Sequence, residues 1–520
     1  MPLAAAGAEV AVVGAAMSGM LAAYELMKLG LRPVIYEANR IGGRLRSQQF
    51  GAAQHVVAEL GGLRFPISGA TFFPYVDRLG LSTRPFPNPL TDAAPTTVID
   101  LEGEVHRART LADLPPMFRE VSDAWDEALE THASFSALTA AMTDRDAASV
   151  QTLWQPIVQR WDDRTFYDFV ATSDSFRRLS YRHREVFGQV GFGTGGWDSD
   201  FPNSMLEILR VVLNRYDENQ RLIVGGAEQV VRGLWDHTPA CAHWPAGTSL
   251  SSLHAGAPRP GVARIERHGD EIRVIDRLGV GRIVPAALIT TQSWLLTTNM
   301  DVDETLLSQK LWMALDRTRY MHSSKTFVMV DRPFWNDIDP GTGHPVMGMT
   351  LTDRNTRGTY LFDNGPDEPA VMCLTYAWES DAQKVLPKSA HERARLALDT
   401  LAKIYPDVDI SAHVIGEPIT VSWESDPDFL GAFKGALPGH YRYNRRMFTH
   451  FMQDDLPPHQ RGLFLAGDDI SWTPGWVEGA VQTALNAVWG ITRHFGGSSS
   501  DHNPGPGDLF DELAPHRLPD

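Results

Sequence analysis

The stretch Glu9-Val10-Ala11-Val12-Val13-Gly14-Ala15-Ala16-Met17-Ser18-Gly19 decides the fold of this chain. Its first five residues read as a short buried strand, because an unbroken apolar run of this length suits a parallel sheet covered on both faces. Gly14 to Gly19 form a tight turn, and Met20 to Leu29 read as a helix with Gly30 just past its end as the C-cap. Pro33-Val34-Ile35-Tyr36-Glu37 is a second buried strand. Together they make one βαβ unit of the dinucleotide-binding kind.

The turn matches G-x-G-x-x-G except at its second glycine, which is Ala16. That glycine lets the backbone approach a pyrophosphate, so a methyl group there is a small obstruction. The helix N-terminus still presents free N–H groups and a positive dipole end to phosphate. Gly14, Ala16, Met17, Ser18 and Gly19 are therefore the phosphate-turn positions. Glu37, 23 residues after Gly14, stands where an acid accepts from a ribose 2′-hydroxyl and repels an NADP 2′-phosphate. These residues alone leave NAD and FAD open. Gly42-Gly43-Arg44, one short loop later, favours FAD: the glycines allow close approach and Arg44 reaches toward a diphosphate.

The rest of the chain is organised around this unit. Leu111 to Leu213 is largely helical in pattern, with a capped start at Asn203. Val262 to Ile275 alternates as a hairpin, and Arg282 to Thr291 reads as one strand. Thr326 to Val330, Ala370 to Tyr376 and Gly462 to Ala466 are further strands; Glu392 to Tyr405 and Val477 to His494 are helices. Strands that belong with the first unit are thus scattered along the chain. The expected fold is α/β: a discontinuous Rossmann-type FAD-binding domain (1–64, 222–298 and 456–496), a mixed-sheet substrate domain (65–110 and 299–455), a helical insertion (111–221) and a loosely ordered tail (497–520).

Composition excludes several classes. The net charge of −17 over 520 residues argues against nucleic acid, since phosphate binding needs clustered cations. Cys241 and Cys373 are the two cysteines and form no CxxC, so neither a metal site nor a disulfide framework is expected. No apolar run approaches the roughly 20 residues of a membrane helix. The N-terminus carries no basic segment of a signal peptide, which points to the cytoplasm. Oligomeric state is not legible, and a homodimer is left open.

Further motifs carry a resemblance. They are Val12 to Gly19, Glu37 to Arg46, Glu59 to Pro66, Ser323 to Val330 with Phe334-Trp335, Trp423 to Lys434, and Gly467 to Ala484 with Gly475-Trp476-Val477-Glu478-Gly479-Ala480. On these the chain resembles the flavin amine oxidase superfamily, within it most the bacterial tryptophan 2-monooxygenases and related L-amino acid oxidase/monooxygenases. The resemblance implies non-covalent FAD, because no cysteine stands near the C-terminal motif. It implies that Leu63, Arg64, Gly467, Asp468 or Asp469, Trp476 and Val477 join Gly43 and Arg44 around the flavin.

The chemistry implied is hydride transfer from substrate Cα to flavin N5, which requires Cα to be fixed and water excluded. A planar guanidinium fixes a carboxylate through two parallel charge-assisted bonds, which lysine cannot do. Arg64 matches the family's carboxylate arginine; the plainer reading is an ion pair with Glu59. Tyr376 is the place for a second carboxylate donor. Lys325 matches the lysine that holds a water at N5 and assists reaction with oxygen, and Trp476 an aromatic wall of the substrate cage. The region Gly193 to Phe201 resembles members acting on basic amino acids, with Trp197 and Asp200 three residues apart. A carboxylate there would pair with a lysine or arginine side chain and would be left unpaired by an aromatic one. The expected reaction is oxidation of a basic L-amino acid with oxygen, the amide-forming outcome slightly favoured over the 2-oxo acid. Aromatic substrates, a polyamine or monoamine oxidase, a non-catalytic flavoprotein and an NAD-dependent dehydrogenase are the competing readings.

Overall fold

A computed structural model describes residues 1–51, 53–190, 202–240 and 243–499. Trp197, Asp200 and Cys241 lie outside the described residues, as does nearly all of the segment read as a tail.

Five parallel strands form the sheet that carries the glycine turn. Their order is Arg259–Pro260, β2 (Arg32–Glu37), β1 (Glu9–Val13), Ala286–Ile289 and Leu463–Leu465. Val12 faces Ile35 on one side and Leu288 on the other, and all three are fully buried. This is the burial an unbroken apolar strand needs. Helix α1 runs Met17–Lys28, three residues earlier than its apolar pattern suggests. It is apolar nearly all round because the sheet and the helix Val477–His494 enclose it. Gly30 takes φ +86°, as a residue closing a helix does.

The segment read as one strand, Arg282 to Thr291, is two. Gly281–Val284 pairs with Glu271–Asp276 in a four-stranded sheet, while Ala286–Ile289 sits beside β1. Pro285 falls between them, and a residue without an N–H divides a strand naturally.

A seven-stranded mixed sheet stands against this body. Its order is Val414–Ser422, Ser323–Val330, Ala370–Trp378, Gly358–Phe362, Met349–Thr352, Thr97–Leu101 and Glu104–Ala108. The helix Ala390–Ile404 packs on it, opened by a reciprocal Ser389–Glu392 capping box. Helices from Pro116–Ala133 to Met205–Leu213 bury a third core around Trp154, Phe166, Phe169 and Phe176. No helix among the described residues is long and apolar enough to cross a membrane.

Candidate active site

Two helix N-termini, those of α1 and of Val477–His494, open onto one cavity, and neither is capped by a side chain. Their first N–H groups are the free donors an anionic group seeks. At the first of them Gly14 takes φ +110°, and a Cβ there would lie 2.7 Å from Thr290 Oγ1. A Cβ on Gly43 (φ +58°) would lie 2.4 Å from the Ala16 Cβ. The methyl group that departs from the glycine pattern is thus accommodated by a glycine on the facing loop. Glu37 accepts from Ala15 N at 2.8 Å and Asn39 N at 2.9 Å, so its carboxylate orders the turn while lining the adjoining cavity. Burial holds it above the usual carboxylate range. Gly19 packs inside, where a Cβ would meet the Gly14 carbonyl at 2.1 Å.

Arg44, assigned to the diphosphate, is ion-paired with Asp468 and also donates to the Ala432 carbonyl at 2.8 Å. Both residues line the cavity. The two neighbouring acids separate cleanly in role. Asp468 also accepts from Gly475 N at 3.1 Å, at the start of the final helix. Asp469 turns into the core and accepts from Ser293 N, Ser293 Oγ and the Tyr320 hydroxyl at 3.0, 2.7 and 2.5 Å. Gly467 takes φ +154°, and a Cβ there would collide with Asp469 Oδ1 at 2.5 Å. Glu478 ties the final helix to Thr71 and Phe72 rather than facing the cavity.

Arg64, Lys325, Tyr376, Trp476 and Val477 meet on the same cavity, joined by Trp423 and Phe433. The Arg64 guanidinium lies over the rings of Phe86, Tyr376 and Tyr360 at 5.5, 5.6 and 5.9 Å. Its plane is therefore set by aromatic faces. It does not pair with Glu59, whose carboxylate accepts from Ser47 Oγ and Ala227 N at 3.0 and 2.7 Å. Lys325 is buried, 4.6 Å from the Tyr376 ring centre, and donates to the carbonyl oxygens of Glu59 and Gly61. Burial lowers its ammonium to about 7. Leu63 departs from its expected place: it is buried against another cavity on the far side of this wall. Cys373 is free, buried and absent from the cavity lining, and burial pushes its thiol up to about 12.

A chamber adjoins through Arg64, Phe433 and Trp476, which line both spaces. Its walls carry Glu207, Asp217, Glu218 and Lys434, none of them singled out by sequence reasoning. Lys434 is buried and donates to the Asp469 carbonyl at 2.8 Å. Glu207 is buried and accepts from Ala436 N at 2.8 Å and Asn203 Nδ2 at 3.0 Å. Burial drives both toward neutrality, Glu207 to about 7 and Lys434 to about 8. The sequence signal is faint: Lys434 ends the segment Trp423 to Lys434, and Glu207 lies on the helix after Asn203.

A turn built of glycines, a half-buried acid at the second strand, two uncapped helix ends and an arginine over aromatic rings describe a dinucleotide site that opens into a substrate space. Residues 17–492 match the profile of the flavin-containing amine oxidoreductases. Over 530 residues the chain is 31% identical to a tryptophan 2-monooxygenase of Pseudomonas savastanoi, covering 95% of this chain and 91% of that protein. A tryptophan 2-monooxygenase of Pantoea agglomerans pv. gypsophilae is 30% identical, covering 94% and 90%. A flavin-dependent L-tryptophan oxidase of Lentzea aerocolonigenes is 24% identical, covering 93% and 98%. Among solved structures, cyclohexylamine oxidase from Brevibacterium oxydans superposes with a TM-score of 0.69 at 18% identity, covering 94% of this chain and all of that one. The chain belongs to the flavin-containing amine oxidoreductases. It is an FAD-dependent oxidoreductase of the amino acid oxidase and monooxygenase group, and the glycine cradle and paired helix ends suit the diphosphate of that cofactor.

Proposed function

We propose that the protein oxidises a basic L-amino acid, lysine or arginine, at Cα, with dioxygen as acceptor and the amide, carbon dioxide and water as products. The observation that carries this reading is Arg64. A guanidinium laid over three rings beside the flavin cavity, with no carboxylate partner among the described residues, suits the α-carboxylate of a substrate. Amines without a carboxylate have no use for it.

Bound FAD supplies the acceptor for a hydride from Cα and passes the electrons to oxygen. The chain's residues do the positioning. Arg64 holds the carboxylate in two parallel bonds with Tyr376 as second donor, and Trp476 and Phe433 wall the reacting carbon from water. Lys325, buried and lowered to about 7, holds a water beside the reacting face and stabilises negative charge that develops on oxygen. The amine enters neutral, so no further side-chain base is invoked. Retention of the imino acid beside the peroxide formed from oxygen lets peroxide oxidise it to the amide with loss of carbon dioxide and water; early release and hydrolysis give the 2-oxo acid and ammonia, with peroxide set free.

The chamber supports the basic substrate. Arg64 is taken up by the α-carboxylate and Lys434 is balanced by Glu207, which leaves the exposed Glu218, and Asp217, whose carboxyl burial raises to about 7 until a cation arrives beside it, to meet a cationic side chain. Asp200 and Trp197, assigned the same task from the sequence, belong to this proposal but lie outside the described residues. Tryptophan is the second reading, favoured by the likeness to tryptophan 2-monooxygenases and an L-tryptophan oxidase. We place the enzyme in the cytoplasm. The test is anaerobic bleaching of the flavin across the twenty amino acids, followed by product mass. Fastest reduction by lysine or arginine with an amide product is the expected result. Preference for tryptophan would remove the basic-substrate reading, and a protein bleached by no amino acid would remove the whole proposal.

A further inference from the structure

Trp476 lines the flavin cavity and the chamber alike, so its ring is part of the partition between them. It ends the short segment Trp472-Thr473-Pro474-Gly475-Trp476, which is neither helix nor strand and leads into the final helix. The main chain of this segment is held by Thr473 N on Ser471 Oγ and Gly475 N on Asp468, both at 3.1 Å. Neither bond reaches the indole of Trp476, which is half-buried and stands beside a glycine at φ +80°. A ring in that position keeps its angle only if something packs behind it.

What packs there comes from the helical insertion. Tyr216 is buried on the turn that follows the helix Met205–Leu213, its N–H donated to the Val211 carbonyl at 3.0 Å. Its ring lies directly on the Trp476 ring, centroids 5.4 Å apart. From the same helix, Arg210 lies over Trp472 at 4.3 Å and over Trp154 of the helical core at 5.0 Å. Only 1% of Arg210 is exposed, and a guanidinium cannot shed its charge to escape that burial. Flat aromatic faces offset part of the cost, and Tyr441 and Phe448 close the box around Trp472 at 4.9 and 5.7 Å. One helix and the turn after it therefore grip both ends of the segment, while Ile208 and Val211 of that helix line the chamber.

We propose that Tyr216 and Arg210 are positioning residues for the oxidation, which hold Trp476 at the angle where it walls the substrate's α-carbon. Tyr216 acts through the Trp476 ring itself, and Arg210 through Trp472 at the other end of the segment. The helical insertion thus takes part in the reaction and does not merely enclose the chamber. The proposal rests on the place given to Trp476 above.

The test is a double-mutant cycle on the FAD-loaded enzyme. Tyr216→Ala removes the ring behind Trp476. Tyr216→Leu removes the flat face and keeps most of the volume, so it serves if the first variant does not fold. The first reading is the fluorescence lifetime of bound flavin without substrate, which quenching by a neighbouring indole sets through its distance and angle. The second is the limiting rate of anaerobic reduction by whichever amino acid reduces the wild type fastest, with the dissociation constant taken from the same titration. The Tyr216 variants are expected to change the lifetime and to lower the limiting rate about tenfold or more. The dissociation constant should stay within about threefold, because Arg64 is untouched. In a Trp476→Ala background the same substitutions are expected to change neither reading by more than about twofold, since the residue they act through is gone. R210K keeps the charge, loses the plane over Trp472 and is expected to move both readings in the same direction as the Tyr216 variants. If no amino acid reduces the wild type, the function proposed above fails, and the lifetimes still test the packing behind Trp476. Tyr216 variants that match the wild type in lifetime and limiting rate, or effects equally large in the W476A background, overturn the proposal; an R210K enzyme that matches the wild type removes Arg210 from it.

Discussion

Replacing Arg64 by lysine keeps the positive charge and removes the plane. The guanidinium lies over Phe86, Tyr376 and Tyr360 and is hydrogen-bonded to the Tyr360 side chain, so it is held in place before substrate arrives. Lysine supplies one directed bond where arginine supplies two, and a hydrogen bond to a charged group is worth about 1.5–3 kcal/mol. At 1.4 kcal/mol per factor of ten, losing one bond of this kind and the ordering it brings lowers kcat/KM by about 10- to 150-fold. Arg64→Ala removes both bonds and costs about 10²- to 10⁴-fold on the same scale. The assay is anaerobic stopped-flow bleaching of the flavin, with the amino acid and its decarboxylated amine compared in each variant. R64K should slow the amino acid and leave the amine unchanged, because the amine never used the arginine. An R64K enzyme that reduces with the amino acid within about threefold of wild type would refute the assignment.

Four further outcomes follow from the same geometry. Lys325→Met should lower the rate of reoxidation by about 10²-fold or more while anaerobic reduction stays within about threefold, measured in separate half-reactions. Gly61→Ala would place a Cβ 1.6 Å from the Arg44 carbonyl, a contact only backbone movement relieves, so flavin content after purification should fall sharply. Asp217→Asn and Glu218→Gln should each weaken lysine or arginine binding by about two- to fivefold, a rim-charge effect that high salt erases, with apolar amino acids unaffected. His450 is buried, its Nε2 bonded to the Leu463 carbonyl at 2.9 Å, and burial lowers it to about 4 from the ordinary 6.5. The unfolded chain therefore takes a proton that the folded one refuses, so stability is lost as pH falls from 6.5 toward 4, by about 3 kcal/mol at the lower end. Thermal denaturation of His450→Gln should show a flatter slope across that window; an unchanged slope would assign acid sensitivity elsewhere.

The βαβ unit was legible because its signals are local: a five-residue strand with four buried residues, a glycine turn and an acid at fixed distance. The division of Arg282 to Thr291 is marked in the sequence by Pro285, which has no N–H to continue a ladder through the apolar run around it. Choosing between Asp468 and Asp469 was not. Adjacent acids look alike in sequence, and only the placement of Ser293, Tyr320 and Arg44 tells them apart. Arg44 likewise reads as a free cation for a diphosphate until Asp468, 424 residues away, is seen beside it. The chamber was the least legible part. Glu207 and Lys434 come from a helix and a strand far apart in the chain, and no spacing announces their meeting.

The five-stranded sheet has a consequence for how the enzyme is made. Its strands come from residues 9–13, 32–37, 259–260, 286–289 and 463–465, and the helix that closes the cofactor cavity ends at His494. During synthesis β1 meets its neighbours Arg32–Glu37 and Ala286–Ile289 first, while the outer strand Leu463–Leu465 and the helix Val477–His494 that packs on α1 come last. Contacts of such sequence separation form slowly, because loop closure must precede them. The open edge of Ala286–Ile289 and the apolar face of α1 therefore stay uncovered until the chain is nearly finished, which makes the nascent chain a natural client for chaperones. FAD has a complete pocket to enter only once the last helix is out, so loss of that helix should leave a chain that is made but never coloured.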